Sequence, residues 1–463
     1  VKFVITILAA LVVASSCSRK KGSEDTPPAA IQPGGDTTPN SDNPPDQTDE
    51  NPFPIDPTDP FDPTPGLSIE EPVEVRFAPQ ENLREGIVTL LNEATSSIDI
   101  AIYSLSDRLI VQTLTELAAK KIQIRLILNQ PRVKCRPASG RQTLCEQLEN
   151  AGIDVRYVIP VMHHKFVLVD GMQTGSFETV KLMTGSTNFS GTAFSSYDED
   201  WLRYNGTSSV VKGFQNEFNF LWDHSIDYPG PATSVPSVQV SSDYTRNAFF
   251  TSANSERNSA AGSFSWDASR NSVNTAVARE IDLAKSSIKV AQAHFRSPVI
   301  YTAIKNAWDR GVDVRMVLDQ QEYRPQAENA GNNLFFDETL SALGVSIRYK
   351  TYSVKWDHAT AKQMHSKFSI IDDSKVFTGS YNWSENSESN TFENMVFITD
   401  KAIVDRYLKQ FEIIFSYRDG EYDDMIKKLE TSTRFNDCNM EPMSMTGRQI
   451  SKWRALFSVV LCR

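Results

Sequence analysis

No apolar run in this sequence reaches the ~20 residues that a membrane-crossing helix needs. The longest, within "VKFVITILAALVVASSC" at 1–17, holds about eleven. Cysteine is scarce, five in 463 residues, and no CxxC or Cys/His spacing of a zinc site occurs. Basic excess is also missing. The net charge is −11, of which residues 1–74 carry −9, leaving a remainder near neutral at about −2. That argues against the strongly basic surface used to track a phosphate backbone. Residues 18–72 are nearly empty of aliphatics and crowded with Pro, Asp and Thr, and between Glu24 and Glu74 they include no Lys or Arg. Such a segment cannot bury enough apolar surface to offset its ordering entropy, and it reads as a disordered spacer.

What is present at the start has the pattern of a secretory signal: a lysine, the short apolar run, then small residues ending at Cys17. The "ASSC" stretch resembles a lipobox, which implies acylation of Cys17. The expectation is an exported protein, lipid-anchored to the bacterial cell envelope at the outer membrane or in the periplasm. The spacer would then hold a folded region away from the membrane. Disulfides persist outside the cytoplasm, and of three connectivities the local pairs Cys135–Cys145 and Cys438–Cys462 are expected.

From about residue 73 strands and helices alternate: "VEVRFAP", "ENLREGIVTLLNEA", "SSIDIAIYSL", "RLIVQTLTELAAKK", "IQIRLILNQ". The alternation predicts an α/β fold built from βαβ units with a largely parallel sheet. The order then recurs. "ATSSIDIAIYSL" at 94–105 matches "AKSSIKVAQAHF" at 284–295, and "KKIQIRLILNQ" at 120–130 matches "RGVDVRMVLDQ" at 310–320, both at an offset of 190. A near-constant offset across separate elements means duplication of a domain rather than a short-period solenoid. The expected organisation is a signal segment 1–17, a linker 18–72, a first domain 73–230, a second domain 240–435 and a C-terminal extension 436–463.

Each half contains H-x-K-x4-D followed by G-S-x-N. The first set is His163, Lys165, Asp170, Gly185, Ser186 and Asn188; the second is His365, Lys367, Asp372, Gly379, Ser380 and Asn382. Two such sets at matching places in a repeat are not accidental. The chain resembles the phospholipase D superfamily with two HKD motifs, over nearly all of 73–435. That resemblance implies two αβα sandwich domains about a pseudo-twofold axis, with one active site at their interface that cleaves phosphodiesters. Both motifs in one chain imply a monomer.

Strand side chains two apart share a face, so His163 and Lys165 point one way and His164 and Asp170 the other. The aspartates Asp170 and Asp372 therefore suit a supporting role. A phosphodiester is anionic, and Lys165, Lys367, Asn188, Asn382, Ser186 and Ser380 can surround its oxygens with donors, without a metal or other cofactor. One imidazole can attack phosphorus while the other protonates the leaving alkoxide and then activates water. The resemblance implies His163 as nucleophile and His365 as acid/base; the residues alone allow the reverse. It also implies that acidic residues downstream of GSxN fix the imidazole tautomers. Glu199 and Glu393, each eleven residues after its asparagine, are the candidates.

Two departures stand out. Fourteen residues separate Asp170 from Gly185 but six separate Asp372 from Gly379, and Asp198 and Asp200 flank Glu199 where the family often has asparagine. His224, His294 and His358 match no motif and read as packed or exposed, and Trp383 reads as core or pocket floor. The preferred substrate is phospholipid, reached through the lipid anchor; the alternative is a metal-independent endonuclease acting on DNA or RNA.

Overall fold

The structure is a computed structural model. It describes residues 71–459 apart from 130–134, 136–141, 173–176, 207, 234–235, 238–239, 241–246, 268, 324–334, 355, 357–360 and 432–438. Cys17, the linker up to residue 70, His358, Cys438 and Cys462 lie outside the described residues.

Two eight-stranded sheets carry the fold, and their strand orders correspond one to one. In spatial order the first runs Glu74–Ala78, Glu199–Asn205, Lys181–Gly185, Lys165–Val169, Ser97–Ile102, Gln123–Asn129, Asp154–Val158, Ile226–Asp227. The second runs Ala248–Phe250, Asn394–Ile398, Lys375–Gly379, Lys367–Ile371, Ser287–Gln292, Asp313–Asp319, Ser346–Ser353, Asn439–Thr446.

The expected largely parallel sheet is corrected to a mixed one. Only Ser97–Ile102, Gln123–Asn129 and Asp154–Val158 run parallel in the first sheet, and their counterparts do so in the second. The other pairings are antiparallel because the HKD and GSxN segments form a hairpin in each half. A second correction concerns the stretch expected as a C-terminal extension. Asn439–Thr446 pairs with Ser346–Ser353 as an edge strand, and Gly447–Val459 follows as a helix, so the second unit extends past 435.

Period-two alternation explains how the halves join. On Lys165–Val169, Val167 and Val169 pack into an outer core with Ile87, Leu90 and Ile110 from the flanking helices. Phe166 and Leu168 face a central core that also contains Phe368, Ile370 and Val396 from the second sheet. The helices Ser209–Trp222 and Lys401–Phe415 fill this central layer through Phe214, Phe218, Tyr407 and Phe411. The segment "FNFLWDH" at 218–224 belongs mostly to this core, with Phe218, Leu221 and Trp222 buried. Cys135 and Cys145 form a disulfide with Cα atoms 5.2 Å apart. Among the described residues, no helix is long and apolar enough to cross a membrane.

Candidate active site

The carboxyl ends of the parallel strands in open α/β sheets are where ligands bind. The HKD segments reach those ends, since Lys165 pairs with Ile102 and Lys367 with Gln292 at the last residues of their strands. Each histidine lies just ahead of its strand, on a segment hooked to the other half. Val161–Met162 pairs in parallel with Thr391–Phe392, and the His163 amide donates to the Phe392 carbonyl at 3.0 Å. In the other direction, Met364 bridges Asp198, and the His365 amide donates to the Asp198 carbonyl at 3.1 Å.

That docking crosses the acidic partners. His163 Nδ1 meets Glu393 Oε2 at 2.8 Å, and His365 Nδ1 meets Glu199 Oε1 at 2.8 Å. Each glutamate therefore orients the imidazole of the opposite repeat, leaving both Nε2 atoms as the free ring nitrogens. The serines of GSxN hold the carboxylates from behind: Ser186 Oγ donates to Glu199 at 2.6 Å and Ser380 Oγ to Glu393 at 2.7 Å. The reading of Ser186 and Ser380 as phosphate donors is corrected accordingly, because both hydroxyls are buried and engaged. The preceding glycines allow this approach. A Cβ on Gly185 would lie 2.4 Å from the Asp200 carbonyl oxygen, and one on Gly379 would lie 2.3 Å from that of Asn394. Asn188 and Asn382 remain available, each with Oδ1 buried and lacking a hydrogen-bond partner in the protein.

Lys165 and Lys367 are fully buried, and each donates to the carbonyl of the histidine two residues before it, at 2.6 and 2.5 Å. An ammonium has three donors, so further ones remain for an anion. Burial lowers the Lys165 pKa to about 7 and that of Lys367 to about 8. Burial, then the two lysine charges, pushes His163 and His365 well below the ordinary imidazole value. Burial raises Glu393 to about 7 and Glu199 well above the usual carboxylate range. Each lysine is acted on by the other's glutamate as well as its own, so these six groups form one electrostatic unit spanning both halves.

The HKD aspartates stand apart from it. Asp170 accepts from the amides of Thr95, Ser96 and Ser97 and from the hydroxyls of Thr95 and Ser96, at 2.8–3.1 Å. Asp372 does the same for Lys285, Ser286 and Ser287 at 2.7–3.1 Å. Both lie at the far end of the hairpin strand, roughly 16 Å from its lysine at ~3.3 Å per residue. They brace the entry to the central strand rather than touch the reacting centre. That bracing is the form taken by the supporting role that strand parity implies for both aspartates.

His164 is buried on the opposite side, its Nε2 2.8 Å from Glu217 Oε1 and its Nδ1 2.9 Å from Asn394 Nδ2. Asn394 Oδ1 accepts from Thr184 at 3.1 Å, and in the mirrored position Asp200 accepts from Thr378 and Tyr407 at 2.7 and 2.8 Å. A buried Lys350–Asp198 pair at 2.5 Å adds another cross-repeat tie beside His365.

A cleft of about 720 Å³ opens beside His163, lined by Tyr103, His294, Arg296, Glu322, Asn382 and Glu393 among others. Tyr103 packs edge-on against His163 with ring centres 4.7 Å apart. The reading of His294 as a packed or exposed bystander is thereby corrected, since it lines this cleft. His224 instead meets the Ser263 carbonyl at 3.1 Å, and Trp383 is core beside Phe295. Neither Tyr103 nor His294 carries a motif that sequence reading could use; the one available signal was their place just after matching strands of the repeat.

Comparison with known proteins matches this duplicated architecture. A family model described as "Cardiolipin synthase, PLD-like domain" fits residues 87–222 and 277–415, more than half of the chain. The chain belongs to the phospholipase D-like family. A mitochondrial cardiolipin hydrolase of Xenopus tropicalis is 28% identical over 141 residues, 30% of this chain and 60% of that protein. A phospholipase D of Rickettsia conorii is 30% identical over 135 residues, 29% of this chain and 60% of that protein. The chain thus spans about 60% of the length of these phospholipase D-like relatives. A polyphosphate kinase of Porphyromonas gingivalis shares the fold, with a TM-score of 0.51 and 14% identity over 73% of this chain and 46% of that one.

Proposed function

We propose that this protein is a phosphodiesterase that works through a covalent phosphohistidine, with phospholipid as its substrate. The observation that carries the reading is the pair of crossed histidine–glutamate dyads with two buried lysines between them. The site binds the phosphodiester anion through Lys165, Lys367, Asn188 and Asn382, which replace its water with fixed donors. Neutral His163 then attacks phosphorus through Nε2, forming the N–P bond as the P–O bond to the alcohol breaks. Protonated His365 gives its Nε2 proton to the departing oxygen. His365, now neutral, takes a proton from water while that water attacks phosphorus, and the N–P bond breaks to restore His163.

Burial opposes charge on either imidazole, so free protein favours the neutral nucleophile. The bound anion supplies the negative charge that favours one protonated partner. Phospholipid is supported by the similarity to a cardiolipin hydrolase and a phospholipase D. The cleft mouth adds to this, because Tyr103 and Val161 there are 38% and 40% exposed and Ile159 stands close by in sequence at 50%. A near-neutral folded region gives little to a polyanionic strand. An exported, Cys17-anchored protein would hold such a site close to lipid, raising its effective concentration.

The test is parallel hydrolysis of phosphatidylglycerol vesicles and plasmid DNA, each with EDTA. Lipid turnover that persists with EDTA and disappears in His163→Ala supports the reading. Turnover of DNA alone would overturn the substrate assignment.

A further inference from the structure

The two repeats place the same histidine, lysine and glutamate around the reacting centre, and among the described residues the second repeat adds a further imidazole, His294, at the cleft. His294 Nδ1 meets Glu322 Oε1 at 2.8 Å, the same arrangement as the two motif dyads. Leu105 and Phe295 occupy equivalent bridges, to Phe189 and Trp383 respectively, so the position of His294 is held in the first repeat by Ser104. Glu322 is almost fully buried and tightly committed. It accepts from Arg296 at 2.7 and 3.2 Å and from the Phe295 amide at 3.2 Å as well as facing His294. Its pKa falls to about 2: burial works against its charge, but the hydrogen bonds and charges of His294 and Arg296 prevail.

The imidazole is therefore held by an anchored carboxylate, with Nε2 left for the cleft, where a third of its side chain is exposed. It lines the same cleft as His163 and as Glu393, the carboxylate that orients His163. The surrounding arm of the cleft presents the exposed Glu385 and Asn386 with Arg296 as its cation, while Glu322 and Asp337 are buried and bonded within the protein, and Asn382 lines it with an unpartnered buried Oδ1. An exposed carboxylate beside two amide oxygens disfavours a second phosphate and accepts hydrogen bonds from hydroxyl or ammonium groups.

We propose that His294 is a specificity-determining residue whose Nε2 contacts the substrate, and that this arm takes a small hydroxyl- or ammonium-bearing head group of the phosphodiester. The proposal rests on the phosphodiesterase reading. It separates the two near-symmetric sides of the site: the side bearing His294 selects the polar alcohol substituent.

The test compares wild type, His294→Ala and His294→Gln on three diesters: phosphatidylglycerol, phosphatidylethanolamine and bis(p-nitrophenyl) phosphate, which lacks a polar head group. The expected result for His294→Ala is a kcat/KM loss on the order of tenfold on the lipids, mostly in KM, with a clearly smaller loss on the aryl diester. His294→Gln, which keeps a donor, recovers part of the lipid activity. The two lipids distinguish a hydroxyl from an ammonium head group by which of them loses more. Equal losses on all three diesters, or none, with unchanged thermal stability, would overturn the proposal. A wild type that cleaves none of the three would instead remove the phosphodiesterase reading beneath it.

Discussion

Glu393 meets His163 of the other repeat at 2.8 Å, whereas His365 of its own repeat is served by Glu199. Neither half can therefore orient its own imidazole, and the duplicated domain is catalytically one unit.

Crossing predicts which step each glutamate controls. With bis(p-nitrophenyl) phosphate the first leaving group needs no acid, so the initial burst depends on the nucleophile alone. Glu393→Gln should slow the burst by about 10²–10⁴-fold, the range seen when an imidazole loses its orienting carboxylate. Glu199→Gln should slow mainly the steady state that follows, where His365 activates water. Stopped-flow absorbance reads both phases; the opposite assignment would mean uncrossed dyads.

The adjacent histidines separate chemistry from stability. His163→Ala should abolish turnover. His164→Ser removes buried bonds to Glu217 and Asn394 and should cost about 2–4 kcal/mol of stability while activity per folded molecule largely persists. Urea unfolding with a parallel assay checks this, and a stable but inactive His164→Ser would contradict it.

Asp170 predicts a pH-dependent stability. Burial works against its charge, yet donors from Ser97, Ser96 and Thr95 hold its pKa below the ordinary value. A carboxyl depressed in the folded state contributes stability above its unfolded pKa near 3.9, and that contribution is lost as pH falls through the folded value. Asp170→Asn should therefore cost about 3 kcal/mol at pH 7 and progressively less below about pH 4. Denaturation series at both pH values decide; a constant difference would count against the brace.

The lysines predict an alkaline limb. With pKa values of about 7 and about 8, Lys165 and Lys367 lose their charge in free protein as pH rises through that range. KM should rise from about pH 7 upward, while kcat, measured with substrate bound, changes less. A kcat/KM profile flat to pH 9 would contradict the proposed anion contacts.

Much of this site was legible because two HKD–GSxN sets fall at matching places in a repeat, and because strand parity turns His164 away from Lys165. The acidic residues Glu199 and Glu393 were visible from their equal spacing, but their crossing was not. It depends on the pairing of Val161–Met162 with Thr391–Phe392, a contact over 200 residues long that no local pattern encodes. The serines were read as phosphate donors because an exposed and a buried hydroxyl look alike in sequence. Only the close approach at Gly185 and Gly379 shows them spent on carboxylates. Alternation of strands and helices predicts a largely parallel sheet because it cannot reveal that the motif hairpin enters antiparallel. His294 reads as a lone histidine in the sequence, since its partner Glu322 lies 28 residues away in the turn after Asp313–Asp319.

The proposed mechanism turns on a phosphohistidine at His163, discharged by His365 from the other repeat. Its most direct test is rapid quench of His365→Ala with bis(p-nitrophenyl) phosphate, followed by peptide mapping by mass spectrometry. One equivalent of nitrophenolate and a stable aryl-phosphoryl adduct on His163 are expected. An adduct on another residue, or a nitrophenolate burst that leaves none on His163, would contradict it.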